Sequence, residues 1–261
     1  MIGDMQKWTP NVAGIIEHAR EIHPNTEIIS RLVSGEIHRS NYEKVCIRSR
    51  KLASALEKDG VKKGDVIATL ALNTYRHLEM YYGISGMGAI THTLNFRLHP
   101  EQAVYIINHA EDKIIFVELP FVPILEALQE NLKTVEKYVV LCEVDEMPET
   151  TLKNAISYEE YIQDGDENYS WPTLEDDAAC ALCYTSGTTG NPKGVLYSHK
   201  SNVIHAQAAL TAMTIKPDDT ILMVVPLFHV LAWGIPYFGP MNGLKLVMPG
   251  MQMEGEPLFE L

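Results

Sequence analysis

Short apolar runs of strand length alternate with stretches of helical spacing along this 261-residue chain, and few folds accommodate that alternation. The clearest run is VIATLAL at positions 66–72, which follows the turn KKGD and is bounded by polar residues. A strand with one wet face would alternate apolar and polar residues. This one does not, so it reads as a central strand covered on both faces. Strands of this kind, separated by helices, predict an α/β fold of βα layers with largely parallel sheets.

The other elements fit the same scheme. A first helix is expected near Val12–Ile22, then an extended stretch. Ser40 and Glu43 have the spacing of a capping box, opening a helix that turns Val45, Leu52 and Leu56 inward and stops at Gly60. A helix over 75–87, the strand AITHTL, a helix opening at Pro100 and Glu101, the strand KIIFVE, a helix over 122–131 and the strand KYVVLC follow. Residues 143–175 are acidic and rich in turn formers, with room for one short helix at most, and read as a surface connection. The expected organisation is therefore a first α/β subdomain over 1–175 and the start of a second over 176–261. The second opens with the apolar run AACALCYT and a Gly/Thr-rich loop. A helix near Ser198 and the strands ILMVV and LKLVM come next. The last residues, PLFEL, read as the first turn of an uncapped helix, so the sequence looks truncated.

Composition excludes several functions. The formal net charge of −13 opposes binding to a nucleic-acid backbone, and any polyanionic ligand needs a local positive site. The opening MIGDMQKWTP has no apolar signal core, and no apolar run reaches bilayer-spanning length. Four cysteines, too few and too uneven for a disulfide framework, point to reduced thiols and a cytoplasmic setting. Cys180 and Cys183 form a C-x-x-C inside an apolar run without a second pair, which reads as strand packing rather than a metal or redox site.

Chemistry concentrates in SGTTGNPKG, with three glycines, three hydroxyl side chains and one lysine in nine residues. Gly187, Gly190 and Gly194 allow backbone N–H groups to converge as an anion nest. Ser186, Thr188 and Thr189 add donors, and Lys193 supplies a local positive charge in a chain that is acidic overall. The run is not a Walker A loop, because Pro192 stands where glycine is required and Gly194 follows the lysine. Taken alone, a Gly/Ser/Thr stretch is more often a solvated surface turn.

The longer run YTSGTTGNPKGVLYSH resembles the signature loop of the adenylate-forming (ANL) superfamily, which contains acyl-CoA synthetases, firefly luciferases and the adenylation domains of nonribosomal peptide synthetases. The resemblance implies an N-terminal domain of that type, in which Thr185, Ser186, Gly187, Thr188, Thr189, Gly190 and Lys193 embrace the β- and γ-phosphates of ATP and Thr185 helps to hold Mg²⁺. VVPLFHVLAWGIPY resembles the segment of fatty acyl-CoA synthetases beside the acyl site. It implies that His229 lines the carboxylate pocket, as catalytic and substrate residue, and that Trp233 gates the acyl tunnel. By their own chemistry, a histidine beside Phe228 and a lone tryptophan are more often core residues. Leu231 departs from the pattern, since many relatives have Asn there. HTLNFRLHPEQ also resembles the family and is assigned structure rather than chemistry. The opening and the loop lean toward bacterial ligases of methylthiopropionate and related short or medium acids.

The resemblance further implies two half-reactions. A carboxylate attacks the α-phosphate of ATP to give an acyl-adenylate and pyrophosphate, and the thiol of coenzyme A then displaces AMP. Elements that relatives carry downstream do not occur in this sequence, so the chain by itself is expected to be inactive. An amino-acid adenylation domain would place an acidic residue where this chain has LFHVLAW. A non-catalytic nucleotide-binding or interaction module is the other alternative. Relatives in the long-chain group imply a possible homodimer.

Overall fold

A computed structural model of the chain describes residues 4, 8–175, 177–185 and 191–261. Its strands are β1 (Glu27–Arg31), β2 (Ile37–Asn41), β3 (Val66–Leu70), β4 (Ile90–Thr93), β5 (Ile114–Val117), β6 (Lys137–Val140), β7 (Ala155–Ser157), β8 (Ala179–Thr185), β9 (Lys193–Ser198), β10 (Thr220–Leu222) and β11 (Lys245–Met248). The helices are α1 (Val12–Ile22), α2 (Tyr42–Lys58), α3 (Tyr75–Gly86), α4 (Pro100–Ala110), α5 (Val122–Leu128), α6 (Tyr158–Gln163), α7 (His199–Ala212), α8 (Ile235–Met241) and α9 (Glu256–Glu260).

Among the described residues these strands form two sheets, ordered β7-β6-β5-β3-β4-β8-β9 and β10-β11-β1-β2. Both draw strands from either side of residue 175. In the larger sheet all neighbours run parallel except β8 and β9, which form an antiparallel pair at one edge.

The apolar run that predicted a doubly covered strand forms β3, in the middle of the seven-stranded sheet. Alternation explains why it is apolar at all but one position. Ile67, Ile114, Phe116 and Val139 point to one side, where α2, α3 and α6 supply Leu52, Met80 and Tyr158. Ala68, Leu70, Ile115, Val117 and Val140 point to the other, where α4 and α5 supply Ile106 and Leu125. Period two sends successive residues into two different cores, so both faces are covered, and the one polar side chain of the run, Thr69, is met by His77 Nε2 at 3.0 Å. A third core joins the four-stranded sheet, through Ile28 and Leu246, to α1, α3, α7 and α8.

Helix α2 begins one residue later than the Ser40/Glu43 capping box predicts. Ser40 is buried and pairs with Ile28, because β2 continues through Asn41. Asn41 is the cap, its side chain accepting from the Lys44 N–H at 2.9 Å. Sheet pairing has moved the boundary, and asparagine caps as well as serine. At the far end α2 stops at Lys58, and Gly60 takes φ +83°, the left-handed conformation that glycine adopts without penalty.

The segment 143–175 is more than a surface connection. It supplies β7, which extends the sheet beside β6, and α6, whose Tyr158 and Tyr161 pack edge-on against Phe116. Glu159 of α6 is gripped by Arg48 at 2.8 Å and Arg76 at 3.0 Å. A three-residue strand is too short to display a period, and the acidic composition hid an ion-paired docking face.

Candidate functional site

In parallel α/β sheets, ligands collect beyond the carboxyl ends of the strands, where connections leave toward opposite faces. The connections after β3 and β4 do this here, since α3 packs into one core and α4 into the other. A cleft of about 280 Å³ lies beyond β4 and β8. Its walls include Thr93 at the end of β4 and Asn95 beyond it, Tyr184 and Thr185 at the end of β8, Pro192 before β9, and Phe228 and His229.

The β8–β9 hairpin is the root of the glycine-rich loop. Register places Thr185 directly opposite Lys193, with Tyr184 opposite Gly194. A Cβ on Gly194 would lie 3.1 Å from Leu182 and 3.2 Å from the Tyr184 ring, so a side chain there would need both neighbours to give by a few tenths of an ångström. Both Thr185 and Lys193 are exposed. Ser186, Gly187, Thr188, Thr189 and Gly190, the predicted phosphate-binding tip, lie outside the described residues.

Thus Thr185 and His229, 44 positions apart in sequence, line one cleft. Trp233 does not line it and stands 61% exposed. The segment carrying both is anchored from several directions. Asn73, just after β3, donates to the carbonyls of Met223 at 2.8 Å and Val225 at 2.9 Å and accepts from the Leu227 N–H at 2.8 Å. This is why the run ILMVV gives only the three-residue β10: a side chain has taken the carbonyls a longer strand would use. Tyr81 donates to the Leu227 carbonyl, and the Thr93 hydroxyl lies between the Phe228 carbonyl at 3.4 Å and the Cys183 sulfur at 3.3 Å.

After His229 the backbone turns the wrong way for L-residues. Val230, Leu231, Ala232 and Trp233 have φ of +47°, +51°, +47° and +56°, followed by Gly234 at +82°. Each non-glycine residue in this region costs on the order of 1–2 kcal/mol, and a β-branched residue such as Val230 is the least suited. Conformations of this kind persist where surroundings over-determine them, and they cluster at functional sites.

Sequence reasoning missed a buried layer beneath the hairpin. His92 of β4 and Asp112, both fully buried, meet at 2.8 Å between Nδ1 and Oδ2, and burial pushes the Asp112 carboxyl upward against the pull of His92. The His92 ring lies 5.1 Å from that of Tyr184, whose hydroxyl is 2.6 Å from His109 Nδ1. Among the described residues His92 Nε2 has no hydrogen-bond partner. The signal was the stretch HTLNFRLHPEQ, assigned to structure; its partner Asp112 is 20 residues away and not deducible from spacing.

All four cysteines are free and buried, and burial pushes the Cys180 thiol up to about 12. Among the described residues there is no cluster of His, Cys, Asp and Glu able to hold a metal ion. No described helix is long and apolar enough to cross a membrane.

A cleft at the carboxyl edge of a largely parallel sheet, walled in part by Tyr184 and Thr185 at the root of the β8–β9 hairpin, is the arrangement of a ligand-binding α/β domain. The chain belongs to the AMP-binding enzyme family, whose sequence model matches residues 16–259. It is 45% identical to the medium-chain-fatty-acid–CoA ligase of Ectopseudomonas oleovorans, over 100% of this chain and 48% of that protein. It is 42% identical to the 3-methylmercaptopropionyl-CoA ligase of Ruegeria lacuscaerulensis, over 100% of the chain and 49% of the relative. The chain thus spans about half the length of these curated relatives. Its fold matches the crystal structure of a long-chain-fatty-acid-CoA ligase from Archaeoglobus fulgidus, with TM-score 0.83 and 24% identity, over 100% of this chain and 51% of that one. The α/β class and the resemblance read from the glycine-rich loop both hold.

Proposed function

We propose that this chain supplies the triphosphate- and carboxylate-binding half of an AMP-forming acid–thiol ligase. One observation carries the reading: Thr185, opposite Lys193 at the hairpin root, and His229 line the same cleft. The loop 185–193 takes the β- and γ-phosphates of ATP, and His229 faces the acid. Trp233 covers the entrance used by the acyl chain. The relatives named for medium-chain fatty acids and for 3-methylmercaptopropionate support a short or medium acid as substrate.

The chemistry asks the protein chiefly to overcome repulsion. An anionic carboxylate must approach the α-phosphate of a polyanion, and the chain's net charge of −13 makes this worse. Lys193 and the backbone N–H groups of the loop offset that charge locally. The carboxylate then forms an acyl-adenylate and pyrophosphate leaves; the thiol of coenzyme A attacks the acyl carbon and AMP departs. Mg²⁺ prefers oxygen ligands and usually arrives with the phosphates, held by one or two protein groups, so the exposed Thr185 hydroxyl suits it. When bound, the ion would neutralise phosphate charge.

The test is carboxylate-dependent exchange of labelled pyrophosphate into ATP. It uses the chain grafted in place of the matching half of the Ectopseudomonas relative and is run with acetate, hexanoate and dodecanoate. Exchange with the shorter acids, lost in Lys193→Ala, is the expected result. Absence of exchange with every acid by a graft that still binds ATP would leave a nucleotide-binding module. The isolated chain is expected to make no thioester, and thioester formation by it would contradict the division of labour proposed here.

A further inference from the structure

The left-handed turn after His229 needs something to hold it, and one side chain outside the cleft is placed to do so. His205, on α7, brings Nε2 to 3.1 Å from the carbonyl oxygen of Trp233. Its ring also packs against the next residue: a Cβ on Gly234 would lie 2.6 Å from His205 Cδ2 and 2.8 Å from Nε2. Gly234 suits the turn twice, since its φ of +82° favours glycine and a Cβ there would push the exposed His205 ring off its hydrogen bond.

We propose that His205 is a positioning residue that pins the 230–234 turn in its left-handed form, and thereby fixes where Trp233 and His229 stand beside the cleft. The inference goes beyond the ligase reading and does not depend on it. The turn's other ties lie nearer its start: the Ala232 N–H donates to the His229 carbonyl at 2.9 Å, the Ile235 N–H donates to the Ala232 carbonyl, the Leu231 backbone bonds the Cys183 sulfur, and Leu231 and Ala232 are buried. Val230 and Trp233 are exposed, so packing on those side chains does little to enforce their positive φ. The hydrogen bond from His205 Nε2–H acts at the last strained peptide, where reversal to the right-handed form would swing the Trp233 carbonyl away. Losing that bond leaves four L-residues in an unfavourable region with one external restraint fewer.

The experiment uses the intact chain labelled with 5-fluorotryptophan, which gives three ¹⁹F resonances from Trp8, Trp171 and Trp233, with Trp233 assigned through Trp233→Phe. His205→Ala is expected to shift or split the Trp233 resonance while that of Trp171 stays in place. His205→Gln, whose amide nitrogen reaches a similar position to Nε2, is expected to return it. A Trp233 resonance unmoved by His205→Ala, or His205→Gln behaving like His205→Ala, would overturn the assignment. A second variant checks the turn itself. Val230→Gly removes a side chain from an exposed, left-handed position and is expected to raise the Tm by about 2–4 °C, with Val230→Ala giving a smaller rise. A fall in Tm on Val230→Gly would remove the strained turn on which the assignment rests.

Discussion

The seven-stranded sheet and the rim segment 223–234 differ in what enforces their shape. In the sheet, backbone pairing and apolar burial demand the same conformation: β3 and β5 are paired on both sides and send side chains into two cores. In the rim, side chains from elsewhere hold a backbone that its own residues disfavour. Asn73, Tyr81, Thr93 and His205 each take a main-chain group of the segment. A scaffold with redundant restraints thus carries a site whose geometry rests on single contacts, and such contacts are where function can be tuned and where substitutions act selectively.

The largest contrast should come from deleting one aromatic in each region. Phe116→Ala, in fully buried β5, is expected to lower unfolding free energy by about 3–5 kcal/mol in a denaturant titration. Trp233→Ala, at an exposed rim position, should cost less than about 1 kcal/mol in the same assay. Equal costs would erase the distinction.

A pH-dependent effect comes next, at the boundary between the regions. Glu118, just beyond β5, accepts from the Leu72 N–H at 3.2 Å, and burial pushes its carboxyl up to about 7. A raised carboxyl pKa means the folded state holds its proton longer than the unfolded one. Its contribution is complete below about 4.5 and is lost as pH rises through about 7. Glu118→Gln keeps the acceptor and removes the ionisation, so it should stabilise by up to about 3 kcal/mol at pH 8 and by almost nothing below pH 4.5. A pH-independent difference between variant and parent would contradict this.

The smallest effect tests a boundary. Asn41→Ala should cost about 1 kcal/mol through the lost cap of α2, whereas Ser40→Ala should leave helix α2 capped. If hydrogen exchange at the first turn of α2 accelerates in Ser40→Ala and not in Asn41→Ala, the predicted capping box was right after all.

These contrasts also explain what could be read from sequence. Long apolar runs such as 66–72 and 179–185 announced the central strands, because burial on two faces leaves a strong local signature. The helices α1, α3 and α4 fell where their spacing and first residues placed them. Strand β7 did not show, being three residues whose only reason to be extended is the edge of β6. The hairpin partner β9 was hidden because its pairing is specified by β8 rather than by its own pattern. At the site, the loop and the His229 segment were legible as motifs. The His92–Asp112 pair, the Asn73 clamp and the left-handed turn were not, since each depends on residues distant in the chain or on backbone angles that composition does not encode.

The proposed ligase chemistry requires the β8–β9 hairpin to hold a triphosphate. The direct measurement is a ³¹P NMR titration of MgATP with the chain. The expected result is saturable change at the β- and γ-phosphate resonances, competed by inorganic tripolyphosphate but not by AMP, and weakened tenfold or more in Lys193→Ala. ATP resonances that stay unchanged on addition of the chain, or that respond equally to the parent and to Lys193→Ala, would contradict it.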